Sequence, residues 1–260
     1  MRKPFLLAAF AAVVVALAGC GGATAGTAAP AGAPPAPVAY TSIDELSAAM
    51  AKATADKHSA TMQMDIGLGG QSMTGEGAYA IEGRNVKMRL TMSIPQAGEM
   101  EMRLVDNVLY VKAGPANPAW LRMPIDPNDP RTAEFAQIID QVDVSKQFDQ
   151  FKIGGELTGS SPDTIDGAAT TRYDVKVDVA KALAEAPDAQ TREQLRPLQE
   201  AGVQNVDMQL WIDSSDLPRQ FRSSFTSQGQ PVSATVKLSD WGAPVSVEAP
   251  HADQVTDLPG

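Results

Sequence analysis

From Met62 onward the chain alternates apolar and polar residues with a period of two, and few folds accept such a pattern. Met62, Met64, Ile66 and Leu68 alternate with Gln63, Asp65 and Gly67. Val86, Met88, Leu90, Met92 and Ile94 alternate with Lys87, Arg89, Thr91 and Ser93, and Met100, Met102 and Leu104 with Glu101 and Arg103. Neighbouring side chains of a strand point to opposite faces, so each run predicts a strand that is apolar on one side and polar on the other. Strands of this kind belong to antiparallel sheets, because parallel sheets bury both faces and read as continuous apolar runs.

Turn chemistry punctuates the alternation. Gly69-Gly70 supplies the positive φ angles of a tight hairpin, and a returning strand follows through Met73 to Ile81. Asp106-Asn107 turns the chain into Val108–Lys112, with a short strand near Trp120–Met123. Further strands are expected around Glu156–Gly159 and Thr171–Val177. Three more carry Val206, Met208, Leu210 and Ile212, then Phe221, Ser223 and Phe225, then Val232, Ala234, Val236 and Leu238. That makes about eleven strands.

Helices are fewer. Ser42-Ile43-Asp44-Glu45 fits a capping box, and Ile43, Leu46, Met50 and Ala53 recur at helical spacing, which predicts a helix over Ile43–Lys57. Asp129 and Pro130 open a helical insertion whose apolar face is Phe135, Ile138, Ile139 and Val142, with a second piece over Ser145–Phe151. A third helical segment, Val179–Glu200, is interrupted near Pro187 and kinked or ended near Pro197.

A long antiparallel sheet coils, because strand twist accumulates. The expected class is therefore α+β: a strongly curved antiparallel sheet, a half-barrel, with a few helices covering its concave face. Eight of the eleven methionines fall between Met62 and Met123, and methionine adapts its shape to irregular neighbours. Two readings of the inward face stand side by side. One is an ordinary core between sheet and helices. The other is a cavity for acyl chains, lined by Met62, Met64, Ile66, Val86, Met88, Leu90, Met92, Met100, Met102, Leu104, Leu210, Phe221 and Phe225.

The N-terminus reads as an address. Arg2 and Lys3 precede an uncharged apolar stretch from Phe5 to Leu17, the pattern of a secretory signal, too short for a comfortable span. The sole cysteine ends Leu17-Ala18-Gly19-Cys20, which resembles the bacterial lipobox, whose cysteine is acylated before cleavage. Two acyl chains at about 0.8 kcal/mol per buried CH₂ anchor a protein stably. Residues 21–40 are uncharged and rich in Gly, Ala, Thr and Pro, a tether reaching up to roughly 60 Å when extended. The expected division is a signal peptide over 1–19, the acylated Cys20 and linker over 20–40, a single lipid-binding domain over 41–250, and a tail over 251–260. The protein would then sit at the cell membrane on its extracytoplasmic face, with the membrane as a partner through the Cys20 anchor.

Charge and motif content exclude other classes. The net charge is −10, and it grows more negative once Arg2 and Lys3 leave with the leader. Phosphate backbones repel such a surface, so nucleic acid is not an expected partner. One cysteine and two histidines, His58 and His251, rule out a disulfide framework and Cys/His zinc sites. No HExxH, P-loop or CxxC occurs. Gly75-Glu76-Gly77-Ala78-Tyr79-Ala80 spells a dinucleotide-type GxGxxA string inside a strand-like segment, where small residues let chains approach closely. Gly70-Gln71-Ser72-Met73-Thr74 lacks the last glycine of a nucleophile elbow. Asp126, Asn128 and Asp129 read as turn and cap residues rather than a calcium loop. Neither an enzyme nor a cofactor is expected.

Three segments carry a resemblance. They are Asp106-Asn107-Val108-Leu109-Tyr110-Val111-Lys112; Leu210-Trp211-Ile212-Asp213 with Leu217-Pro218; and Val236-Lys237-Leu238-Ser239-Asp240-Trp241-Gly242-Ala243-Pro244-Val245, ending in Ala249-Pro250. With the element order and the lipobox they resemble the LppX/LprG-type lipoproteins of mycobacteria and their relatives, built like the LolA/LolB lipoprotein carriers. The resemblance covers roughly residues 41–250. It implies a half-barrel around a hydrophobic cavity that binds acylated lipids or glycolipids and moves them across the cell envelope, with an envelope transporter as a further partner. It leaves an alternative, because related folds serve envelope stress signalling: a sensor or scaffold that binds a protein and transports no lipid. The Ala/Glu/Gln-rich stretch Ala182–Ala201 departs from the family pattern.

Overall fold

The alternating runs do become strands. A computed structural model describes residues 39–83, 85–114, 119–126 and 152–257. Its strands are β1 (Ser59–Leu68), β2 (Gln71–Glu82), β3 (Asn85–Ile94), β4 (Gly98–Val105), β5 (Val108–Ala113), β6 (Trp120–Pro124), β7 (Gly155–Ile165), β8 (Ala168–Asp178), β9 (Asn205–Asp213), β10 (Pro218–Ser227), β11 (Gln230–Ser239) and β12 (Val255–Asp257). All twelve belong to one open sheet in the order β12-β6-β5-β4-β3-β2-β1-β11-β10-β9-β8-β7. The first eleven pair antiparallel, while β12 pairs parallel with β6, so the sheet is mixed. The segment expected to be a C-terminal tail thus contributes a twelfth strand.

Two-residue turns set the register. Gly69 and Gly70 have φ of 55° and 86°, and Asp106 and Asn107 have φ of 51° and 59°. Positive φ at both central residues matches the right-handed twist of the flanking strands. Strand β7 runs well past the expected Gly159. Its second half, Gly159-Ser160-Ser161-Pro162-Asp163, has poor strand propensity, and Pro162 is tolerated because β7 is a sheet edge.

Among the described residues there are three α-helices, α1 (Ile43–Thr54), α2 (Val179–Glu185) and α3 (Ala189–Glu200), and a 3₁₀ turn over Ala252–Gln254. Ser42 Oγ accepts the Glu45 N–H at 3.2 Å, while the Glu45 carboxylate reaches back to the Thr41 N–H and hydroxyl at 3.4 and 3.2 Å. Helix α1 stops at Thr54, short of the expected Lys57, where the Thr54 hydroxyl donates to the Met50 carbonyl at 2.8 Å. The third expected segment is two helices capped by Asp178 and Asp188, and Pro197 lies inside α3 without ending it. The expected helices over 129–142 and 145–151, Asn128 and Asp129, the signal peptide, Cys20 and residues 21–38 of the linker lie outside the described residues.

The main core forms where α1 and α2 meet the apolar face of β8 and β9. Leu46 and Met50 of α1 are fully buried against Tyr173, Val175, Val177, Leu210 and Ile212, with Ala182 of α2. Each buried Val, Leu, Ile or Met side chain there contributes about 1.5–3 kcal/mol by leaving water. Tyr40 ties the chain entering α1 to the sheet: its N–H donates to Tyr173 Oη at 3.1 Å and its hydroxyl to Asp216 Oδ1 at 2.7 Å.

The polar face is not simply wetted. Residues 241–250 cross it as an extended strap, with the Gly242 N–H donating to Ser59 O at 2.8 Å and Arg103 Nη1 donating to Glu248 O at 3.2 Å. Val247 on this strap is buried. At the far edge, the Trp211 indole N–H donates to Asp163 at 2.8 Å, and Lys237 on β11 pairs with Asp166 at the β7–β8 turn at 2.8 Å. In a flat sheet β11 and β8 would lie about 14 Å apart. The sheet is therefore coiled strongly enough to bring this hairpin tip back over its own polar side.

Candidate functional site

Strand register gathers the apolar side chains into unbroken rows. One row holds Phe221, Val236, Met64, Gly75, Met92, Met100 and Ala113, on β10, β11, β1, β2, β3, β4 and β5 in turn. The next holds Leu238, Met62, Gly77, Leu90, Met102, Val111 and Leu121, from β11 to β6. A third holds Tyr79, Met88, Leu104, Leu109 and Met123, with Ile81 facing Val86 beyond it. Ile66 faces Met73 and Ala234, Phe225 faces Val232, and Leu210 faces both Phe221 and Tyr173. Directly opposed residues share a face of the sheet. The thirteen residues singled out by alternation therefore lie on one continuous wall.

They do not share one environment. Val86, Leu90, Leu104 and Leu210 are buried, at 7%, 9%, 2% and 0% exposure. Met62, Met64, Ile66, Met88, Met92, Met100, Met102, Phe221 and Phe225 are half-buried. Burial grades from one end of the wall to the other. The end near the β2–β3 and β4–β5 turns is closed, with Tyr79 and Leu109 buried as well. The end near the β1–β2 turn is open, and Leu68 there is 55% exposed. Helices α1 and α2 seal the β8–β9 side, whereas the methionine-rich side over β1, β3 and β4 keeps accessible apolar surface.

Sequence reasoning left Met73, Gly75, Gly77 and Tyr79 out of the candidate set, although the Gly69-Gly70 turn carries the information. A two-residue hairpin pairs Leu68 with Gln71, and from there Ile66 must face Met73 and Met64 must face Gly75. Gly75 and Gly77 leave bare backbone in the middle of the wall, flanked by Met64, Met92 and Leu90. The GxGxxA string lies mid-strand between β1 and β3, the close-packing position its small residues suggested.

Hollows border both faces of the sheet. One of about 260 Å³ lies between α3 and the apolar face of β8 and β9, lined by Ile153, Val177, Val179, Leu195, Leu198 and Met208 among others. It is slightly smaller than the roughly 300–1,000 Å³ of a typical small-molecule site. Another, about 400 Å³, is on the polar face and is lined by Gln63, Asp65, Thr74, Glu76, Thr91 and Lys237 among others. The Trp211 N–H, with the Thr164 N–H, holds the Asp163 carboxyl below the usual carboxylate range. Among the described residues, no group of three or more His, Cys, Asp or Glu is placed to bind a metal ion. His58 and His251 are both exposed. No helix of the described residues is long and apolar enough to cross a membrane.

One polar atom on the wall has no partner. The Tyr79 hydroxyl is buried without a hydrogen bond, and desolvation pushes it well above the usual tyrosine range. An unsatisfied buried hydroxyl costs about 1–3 kcal/mol. Tyr79→Phe should therefore leave stability unchanged or raise it by about 1 kcal/mol in urea denaturation. A loss of that size would mean the hydroxyl is bonded.

No family model matches the sequence, and no curated protein matches it. Solved structures do match. Lipoprotein LppX of Mycobacterium tuberculosis superposes with a TM-score of 0.50 at 14% identity, over 79% of this chain and 99% of that one. LprF of Mycobacterium bovis gives 0.48 at 17% identity, over 80% and 96%. A LolA superfamily protein of Nitrosomonas europaea, NE2245, gives 0.26 at 11% identity, over 85% and 96%. At such identity the likeness is one of fold. The coiled sheet with few helices is an LppX-like architecture.

Proposed function

We propose that the chain is an extracytoplasmic lipoprotein that shelters the acyl chains of a lipid or glycolipid against the apolar wall and carries them within the cell envelope. The observation that carries this reading is the wall itself. Seven strands contribute to a single apolar row through Met64, Met92 and Met100, and those methionines are only half-buried. An ordinary core would seal such a row, as α1 seals β8 and β9. Transfer of an acyl chain from bilayer to wall exchanges one apolar surrounding for another, so it runs close to equilibrium and needs no cofactor.

The LppX-like fold supports the reading, and LppX is itself described as a lipoprotein. The Leu17-Ala18-Gly19-Cys20 lipobox supports membrane anchoring through Cys20, with residues 21–40 as the tether. Native mass spectrometry of the protein purified from its own host tests it. The expected result is a stoichiometric adduct with the mass of an acylated lipid. A chain that flies empty in every preparation would count against carriage.

A further inference from the structure

Three neighbouring hairpin tips of the sheet carry no charge. Residues 66–75, 90–98 and 223–236 contain no Asp, Glu, Lys or Arg, although 20% of the chain is charged. These three stretches include the β1–β2, β3–β4 and β10–β11 turns, which belong to six adjacent strands and lie at the same end. The Gly69 N–H donates to Pro231 O at 3.2 Å, so two of the tips touch. At the opposite end every described turn is charged. Glu82 and Lys87 flank the β2–β3 turn, Asp106 forms the β4–β5 turn, Asp213 and Asp216 bound the β9–β10 turn, and Asp240 follows β11.

The uncharged tips also stand where the apolar wall opens. Leu68, the one exposed large apolar side chain among the described residues, stands at its tip, and Pro95 and Pro231 are exposed beside it. We propose that this rim of three hairpin tips docks directly on a lipid bilayer, with Leu68 entering the interface and the wall facing the membrane. The proposal rests on the carrier reading for its purpose, because a chain passing between bilayer and wall then avoids water.

Charge favours a membrane as the occupant. A chain of net charge −10 is repelled by anionic headgroups, and three adjacent tips without carboxylates are the part that can approach them, the first carboxylate beside them being Glu99 one residue inside β4. The rim surface is small and hydroxyl- or amide-bearing around a single protruding leucine: Gly69, Gly70, Gln71, Ser72, Gln228 and Gln230 are all exposed. Such a tip enters an interface shallowly and reversibly, as a shuttle requires.

The test uses the full chain carrying Cys20→Ser, which removes the acylatable thiol, and vesicles of phosphatidylcholine with and without phosphatidylglycerol. Cosedimentation is expected with both vesicle types. Leu68→Glu and, separately, Gln71→Glu should each weaken it, the first by about tenfold. Ser215→Glu, the same charge change in the β9–β10 turn at the other end, should leave it unaltered. Melting temperature and bound-lipid mass should be unchanged in all three. Equal sedimentation of Leu68→Glu and its parent, or no sedimentation of the parent, overturns the docking while leaving a lipid-loaded protein as a carrier. A protein released by Leu68→Glu, with vesicle binding unaffected, assigns the rim to that protein and also overturns it. Vesicle binding through the rim by a chain that never holds lipid would sink the carrier reading and leave the docking standing.

Discussion

Met92→Asp should leave the protein folded and unable to retain an acyl lipid. Met92 sits at the centre of the row that joins Met64 across the bare backbone of Gly75 to Met100, and it is half-buried on the open part of the wall. A carboxylate at this position keeps part of its hydration in the empty protein, so the cost to folding should stay near the average of about 1 kcal/mol for a point change. With ligand present the balance reverses. An acyl chain gains about 0.8 kcal/mol for each CH₂ removed from water, but one lying over residue 92 must also strip the carboxylate, at several kcal/mol without a compensating partner. Occupancy read by native mass spectrometry should fall by at least about a hundredfold, equivalent to roughly 2.7 kcal/mol. Met92→Leu, of similar volume and polarity, should load as the parent does. Full loading of a well-folded Met92→Asp protein would place the ligand away from this face.

Much of this wall was legible in the sequence because alternation is a local property. Met62, Met64 and Ile66 share a face whatever the rest of the chain does, and the Gly69-Gly70 turn then fixes what they oppose. The grading of burial along the wall was not legible. Leu90 and Met92 stand two residues apart on the same face of β3, with equivalent patterns in sequence, yet Leu90 is buried and Met92 is half-exposed. That difference depends on what packs beyond the strand, and no window of a dozen residues contains it. The sequence predicts too short a β7 for a related reason. Pro162 argues against a central strand, and only the sheet order shows β7 to be an edge. The twelfth strand is three residues long and pairs with one more than 130 positions away, so it has no local signature at all.

The unequal burial also separates stability from the proposed function. Leu46, Met50, Tyr173 and Leu210 bury almost completely where α1 covers β8 and β9. Met64, Met92 and Met100 retain exposure several strands away. Substitutions in the first group should act on folding, and those in the second on what the wall can hold. A row of methionines suits the second task, because its flexible side chains reshape around different ligands at little cost.

The sharpest test of how this wall is built compares two glycines two residues apart. Gly77→Val should cost at least about 3 kcal/mol of stability, whereas Gly75→Ala should stay within about 0.5 kcal/mol of the parent. Both residues lie on the apolar face of β2, between β1 and β3. A Cβ added at Gly77 would stand 2.5 Å from the Arg89 carbonyl oxygen, with the Leu90 Cδ1 at 3.3 Å. That oxygen is backbone and cannot rotate away, so β2 and β3 must separate or flatten there, and the two further methyls of valine enlarge the conflict. At Gly75 the first contact is the Met64 Cε at 3.2 Å, the free end of a flexible side chain. It can swing aside, and the lower entropy of alanine in the unfolded chain offsets the remaining crowding. Urea denaturation of the three proteins measures the difference. Equal midpoints for Gly77→Val and Gly75→Ala would mean that the sheet is not tightly coiled at Gly77, and that the curvature which shapes the wall arises elsewhere.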